Sequence, residues 1–252
     1  MLKRRIIPVQ LLMNGRLVKT RQFADWRDVG DPVKSSAVYN SQYADELIFL
    51  NIARDRASLQ PLAELMQKVS QECFMPLSVG GGIHTLEDAA YLIQNGADKV
   101  VINSAAYKDC ELISRIADRF GVQAVVVAID AKREGAGYAA VSASASQREP
   151  VALEEHISAC EAAGAGEFLI QSVDHDGMME GFDLSLLRRA CAAAKVPVIG
   201  CGGSGQYNHL KEAFLDTEVS ALACGSLFNF SDSNPLRAKA FLSNYGLQFK
   251  VV

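Results

Sequence analysis

Short apolar runs alternate with stretches of helical period from one end of the chain to the other. The runs Arg5–Leu12, Glu46–Ile52, Pro76–Val79, Lys99–Asn103, Ala124–Asp130, Glu167–Ser172, Val196–Gly200 and Val219–Cys224 read as strands. They are nearly continuous Val, Ile and Leu, the pattern of parallel strands covered on both faces by helices. Between them, Leu59–Cys73, Thr85–Asn95, Cys110–Phe120, Leu153–Gly164 and Leu184–Ala194 carry helical spacing. Thr85 with Asp88 forms a capping-box start, and Asn95-Gly96 a stop. Eight strand–helix units in a single α/β domain predict a closed (β/α)8 TIM barrel, for which about 250 residues is an ordinary length. A doubly wound open sheet fits the same alternation, because alternation does not prove closure.

The pattern also repeats. Val79-Gly80-Gly81-Gly82 is followed by Asn103-Ser104, and Gly200-Cys201-Gly202-Gly203 by Cys224-Gly225-Ser226. At an offset of 121, Glu46-Leu47-Ile48 aligns with Glu167-Phe168-Leu169, Asp55 with Asp176, and Gly81-Gly82 with Gly202-Gly203. This predicts a two-fold half-barrel duplication, with halves at about 1–122 and 123–252. Glycine lets backbone approach a phosphate, and a helix start behind it supplies N–H donors. Two such turns predict a ligand with a phosphate at each end. Met13 to Gly30 lacks clear periodicity and follows the first strand onto the face where such barrels keep their chemistry. A loop of that length is a lid or a disordered excursion, and Lys19 and Trp26 favour a lid.

Strand parity then sorts the polar side chains. With Asn103 pointing inward, Lys99 and Val101 do too. By the same rule Arg5, Ile7, Val9 and Leu11 share a face, as do Glu46 and Ile48, Val126, Ala128 and Asp130, and Glu167, Leu169 and Gln171. The upper rim therefore holds Asn103, Asp130 and Gln171. The lower rim holds two cations, Arg5 and Lys99, and two anions, Glu46 and Glu167. Charges inside a barrel mouth must pair. The four form either a structural ion-pair plug or a gate on a pore. Asp130, at a strand's C-terminal end, is a candidate general acid or base; the alternative is a cap or a loop salt bridge with Lys132 or Arg133. Asp176, in Asp174-His175-Asp176-Gly177, is a second acidic candidate. No metal and no cofactor are expected. His84, His156 and His209 are expected at the surface.

A net charge of −4 argues against a nucleic-acid surface. The six scattered cysteines form no C-x-x-C pair and read as reduced thiols of a cytoplasmic protein. No apolar run approaches 18 residues, so no membrane span is expected, and the apolar start reads as a buried first strand rather than a leader.

Leu2 with Arg5-Ile6-Ile7-Pro8, Gly30-Asp31-Pro32, Asp45-Glu46-Leu47, Val79-Gly80-Gly81-Gly82-Ile83, Gly96-Ala97-Asp98-Lys99-Val100, Ala128-Ile129-Asp130 and Asp174-His175-Asp176-Gly177 together resemble the HisF family. These are the cyclase subunits of imidazole glycerol phosphate synthase. The resemblance runs nearly end to end. It implies a glutaminase (HisH-type) partner on the N-terminal face and ammonia passing up the barrel. It implies a substrate, phosphoribosyl-formimino carboxamide ribotide (PRFAR), converted to imidazole glycerol phosphate and aminoimidazole carboxamide ribotide. It places ligand contacts at Lys19, Gly81, Gly82, Asn103, Ser104, Asp176, Gly177, Gly202, Gly203, Gly225 and Ser226. It makes Arg5, Glu46, Lys99 and Glu167 an ammonia gate and puts Asp98 on the docking surface.

One departure stands out. The family uses two catalytic aspartates at equivalent strand ends; Asp130 matches one, and Leu11 occupies the other. Asn51, Gln171 and the inserted residue in Cys224-Gly225-Ser226 depart as well. This set resembles paralogues tied to surface-polysaccharide synthesis, where the pair supplies ammonia to a separate sugar amidotransferase. The alternatives are an authentic cyclase in histidine biosynthesis, with Asp130 acting alone or with Asp176, and a non-catalytic allosteric activator of the glutaminase.

Overall fold

A computed structural model describes residues 3–53 and 58–250. Leu2 and Asp55, used in the resemblance and the repeat, lie outside the described residues. The strands are β1 (Arg5–Met13), β2 (Arg16–Arg21), β3 (Ala24–Gly30), β4 (Leu47–Asn51), β5 (Leu77–Gly80), β6 (Lys99–Ile102), β7 (Val125–Glu134), β8 (Gly137–Ser142), β9 (Gln147–Arg148), β10 (Glu167–Ser172), β11 (Val198–Cys201) and β12 (Ala221–Cys224). The helices are α1 (Pro32–Ser41), α2 (Gln60–Glu72), α3 (Leu86–Gln94), α4 (Ser104–Lys108), α5 (Glu111–Phe120), α6 (Leu153–Ala162), α7 (Leu184–Ala193), α8 (Tyr207–Asp216), α9 (Ser226–Phe230) and α10 (Pro235–Ser243).

Strands β1, β4, β5, β6, β7, β10, β11 and β12 pair in that order, all parallel. β12 pairs back onto β1, with Arg5 opposite Ala221 and Pro8 opposite Cys224. The sheet is therefore a closed (β/α)8 barrel, and the open-sheet alternative falls. Side chains split between two cores. One, including Phe49, Phe168 and Met66, lies between strands and helices. The other fills the lumen with Ile7, Ile48, Val101, Val126, Leu169, Ile199 and Ala221. Strand parity read from the sequence matches this second set. The Thr85–Asp88 capping box starts α3 as expected. Among the described residues no helix is long and apolar enough to cross a membrane.

Three expectations change. Met13–Gly30 is an ordered antiparallel hairpin: β2 pairs with β1 through Leu11 and Val18, and with β3. Its buried face, Leu17 to Thr20, was masked by interleaved Arg16, Lys19 and Arg21, and the turn is made by Gln22 and Phe23 at φ 51° and 63° rather than by glycine. Past Asp130, β7 continues to Glu134 and turns into β8 and β9, a second hairpin absent from the sequence reading. Strand β11 starts at Val198 rather than Val196, beyond Pro197, which has no N–H for the ladder.

Candidate functional site

Each barrel strand delivers its last inward residue to the C-terminal rim, where the two hairpins wall a cavity of about 670 Å³. It reaches from Gly81-Gly82 to Asn103-Ser104 and Asp130. A much smaller lobe of about 30 Å³ lies against Lys19, Gly177, Gly202-Gly203 and Gly225-Ser226. Leu11, Thr20 and Gln171 line both, so the two lobes share one mouth. The sequence-derived ligand positions thus all converge on this mouth. Gly81 (φ 102°) and Gly203 (φ 106°) must be glycine: a Cβ would lie 2.1 Å from the Asn51 carbonyl oxygen in one case and 2.0 Å from that of Gly181 in the other.

Asp130 is buried and accepts a hydrogen bond from Asn103 Nδ2 at 2.8 Å. Burial pushes its carboxyl up to about 7; the Asn103 bond opposes this and the nearby charge of Asp176 adds to it. The loop salt bridge considered for Asp130 does not form, because Arg133 pairs instead with Asp183 at 3.1 Å. A carboxyl near 7 exchanges a proton at neutral pH, the property a general acid or base needs. The shift also carries a stability signature. Between pH 4 and 7 the unfolded chain ionises this carboxyl first, so stability falls until Asp130 itself ionises near 7. At pH 8, Asp130→Asn is expected to be more stable than the parent by about 4 kcal/mol, a gain that vanishes near pH 4. Urea unfolding at the two pH values checks this, and an equal difference at both would contradict it.

Asp176 is half-buried, and partial desolvation raises its carboxyl despite hydrogen bonds from the Thr20 hydroxyl at 2.6 Å and from the Phe23 N–H at 3.4 Å. With Gln22 N–H donating to its carbonyl at 2.9 Å, Asp176 latches the β2–β3 hairpin over the barrel. Lys19, at 5% exposure, donates to the Val9 carbonyl at 2.6 Å, and burial lowers its ammonium to about 8. Leu11 sits among these groups at 7% exposure. The acids lining the two lobes, among the described residues, are Asp88, Asp130 and Asp176; Asp88 is used in capping α3.

The lower rim closes on itself. Arg5 contacts Glu46 at 2.7 Å and also bonds Glu167, while Lys99 reaches both anions at 3.0 Å. Cation and anion alternate around four corners. The anions are buried and the cation side chains keep 24% and 19% exposure, so the mouth shows positive charge outward. Burial lowers the Arg5 guanidinium, but hydrogen bonds and charges from Glu167 and Glu46 outweigh it, leaving its pKa raised. The seven apolar lumen residues lie between this ring and the upper cavity. Asp98 is exposed on the same end, its carboxylate accepting from Leu77 N–H at 2.8 Å.

His156 corrects a fourth expectation. It is 4% exposed, stacks on Tyr107 with centroids 3.9 Å apart, and burial lowers it to about 4. Its position on α6 faces the barrel, which helical spacing alone did not weigh. The sequence reading also missed the wall built by the β8–β9 turn. Ala143, Ser144 and Ala145 are all left-handed (φ 51°, 55° and 61°), and Ala143, Ser144 and Ser146 line the cavity. A run of three such residues without glycine has no short-range signal. Among the described residues no group of three or more metal-ligating side chains converges.

The family model "Histidine biosynthesis protein" matches residues 5–233. Over 251 residues the chain is 40% identical to "Imidazole glycerol phosphate synthase subunit HisF" from Dehalococcoides mccartyi strain 195, spanning 100% of this chain and 99% of the relative. The proteins of that name from strains BAV1 and CBDB1 are similar to the same extent, again 40% with 100% and 99% coverage.

Proposed function

We propose, on the premise that this chain belongs to the HisF family, that it receives ammonia from a glutaminase subunit through the barrel and serves a separate amidotransferase in surface-polysaccharide synthesis. The observation that carries the reading is an intact lower ring beneath a top site with one paired-acid position occupied by Leu11. Arg5, Glu46, Lys99 and Glu167 act as the ammonia gate, with Asp98 on the docking surface. At the top, Gly81-Gly82 with Asn103-Ser104 and Gly202-Gly203 with Gly225-Ser226 hold the phosphates of a bis-phosphate ligand, with Lys19, Asp176 and Gly177 beside the second. Asp130 remains the single acid–base group. We also read residues 1–122 and 123–252 as copies of one half-barrel; the matched positive φ angles of the two glycine pairs support this.

The chemistry of the gate favours neutral ammonia. Two outward cations oppose ammonium at the mouth, and the apolar lumen above offers it no counter-charge. Ammonia needs no counter-charge and crosses an apolar layer at lower cost. In the top cavity a proton then has one buried carboxyl to use, where a cyclisation needs proton transfers on two sides of the ring being closed.

An authentic cyclase is the second reading. It is favoured by the 40% identity to proteins named as that subunit and by Asp176, which faces the same mouth. Against it, Asp176 is already engaged by Thr20 and Phe23. An isotope experiment separates a conduit from a mere activator. The paired proteins receive amide-labelled glutamine, unlabelled ammonium and PRFAR. The little imidazole product formed is expected to carry the glutamine label, and Arg5→Ala to bring labelling down to the bulk ratio while glutamine hydrolysis continues. Bulk labelling with the unaltered protein would sink the conduit.

A further inference from the structure

Two aromatic side chains are held out into solvent at one corner of the lower end. Phe74 is 88% exposed, the most exposed large apolar residue among those described. Its own N–H is tied to Asn40 Oδ1 at 3.1 Å, which fixes the loop between α2 and β5 against the end of α1. In the adjoining loop, Tyr43 is 46% exposed and has φ 56°, a left-handed conformation that a non-glycine residue adopts only when its surroundings impose it. The surroundings are specific. Lys239, almost fully buried, reaches across from α10 and donates to the Tyr43 carbonyl at 2.6 Å and to Asp45 Oδ1 at 3.0 Å. The other Asp45 oxygen accepts from Ile6 N–H at 2.9 Å. A buried ion pair and a strained residue thus hold a ring outward, two residues from Asp45 and three from Glu46 of the charged ring.

We propose that Phe74 and Tyr43 anchor the ammonia-donating glutaminase subunit, filling an apolar socket beside acidic or carbonyl groups that face Arg5 and Lys99. The proposal rests on the ammonia-receiving reading and adds which residues carry the contact. Exposed aromatics anchored by rigid neighbours lose little conformational freedom on docking, and such residues dominate binding energy at protein interfaces. The outward positive charge of the mouth supplies the complementary term, setting orientation and encounter rate.

The experiment measures binding of the full chain to its purified glutaminase subunit by titration calorimetry. Phe74→Ala is expected to weaken the complex by at least about 30-fold, with an unchanged melting temperature because the ring touches little of its own fold. Tyr43→Gly is expected to weaken it as well while keeping or raising the melting temperature, since glycine adopts φ 56° without strain. A purely structural role for Tyr43 would lower stability and spare affinity. Trp26→Ala, on the exposed β2–β3 hairpin at the opposite rim, is expected to bind normally. A complex insensitive to both aromatic substitutions overturns this proposal alone. No complex with the unaltered chain overturns the ammonia-receiving reading and this proposal with it.

Discussion

Leu11→Asp is expected to raise conversion of PRFAR with ammonia by about 10²–10⁴-fold, the range a positioned acid or base contributes. Position 11 lies on the inward face of β1, lines both lobes of the mouth, and is 7% exposed. A carboxylate there enters the same low-dielectric space as Asp130 and lies two residues from the Val9 carbonyl that holds Lys19. Asp130 keeps a raised pKa by burial, so the two carboxyls titrate apart and divide the acid and base roles. Product formation under steady state checks the expectation. A variant that folds, binds ligand and gains less than tenfold would show that the missing acid does not limit the rate, and would point to Asn51, Gln171 or the inserted residue before Ser226.

The second large effect concerns the lower ring. Glu46→Ala is expected to cost about 3–5 kcal/mol of stability, because it removes one anion from a buried network and leaves its partners uncompensated. Glu46 is 2% exposed and joins Arg5 at 2.7 Å, Lys99 at 3.0 Å and the Ser78 hydroxyl. Lys99 and Arg5 would then share Glu167 alone. Removing a fully exposed carboxylate such as Glu111 is expected to change stability by less than about 0.5 kcal/mol. Denaturant unfolding of the three proteins tests this, and a loss below about 1 kcal/mol for Glu46→Ala would mean that water already screens the ring. This outcome is independent of whether ammonia passes: a plug and a gate share the same electrostatics at rest, and the isotope experiment separates them.

The barrel was legible because its signals are local. Continuous Val, Ile and Leu runs mark strands buried on both faces, and the alternation of inward residues follows from strand period alone; Asn103, Asp130 and Gln171 above and the four charges below were placed by that rule. The hairpins were not legible. Arg16, Lys19 and Arg21 interrupt the apolar pattern of β2, yet Lys19 is buried by the barrel top beneath it, a tertiary cause with no local trace. The Ala143–Ala145 turn is held left-handed without the Gly, Asn or Asp that usually marks such a conformation. His156 was misplaced for the same reason: its burial depends on Tyr107 from a different helix. Asp130 was found as a candidate, but its hydrogen bond to Asn103 and its distance from the Arg133–Asp183 pair emerge only in three dimensions.

On the proposed reading, this barrel takes ammonia from glutamine without converting PRFAR at an enzyme's ordinary pace. The most direct measurement supplies the unaltered chain and its glutaminase with glutamine and PRFAR, and counts glutamate and imidazole glycerol phosphate together. Glutamate is expected at a normal rate, with imidazole product at about 1% of it or less. Equal amounts of the two products, formed at the order of 1 s⁻¹ or faster, would contradict that reading and establish an authentic cyclase.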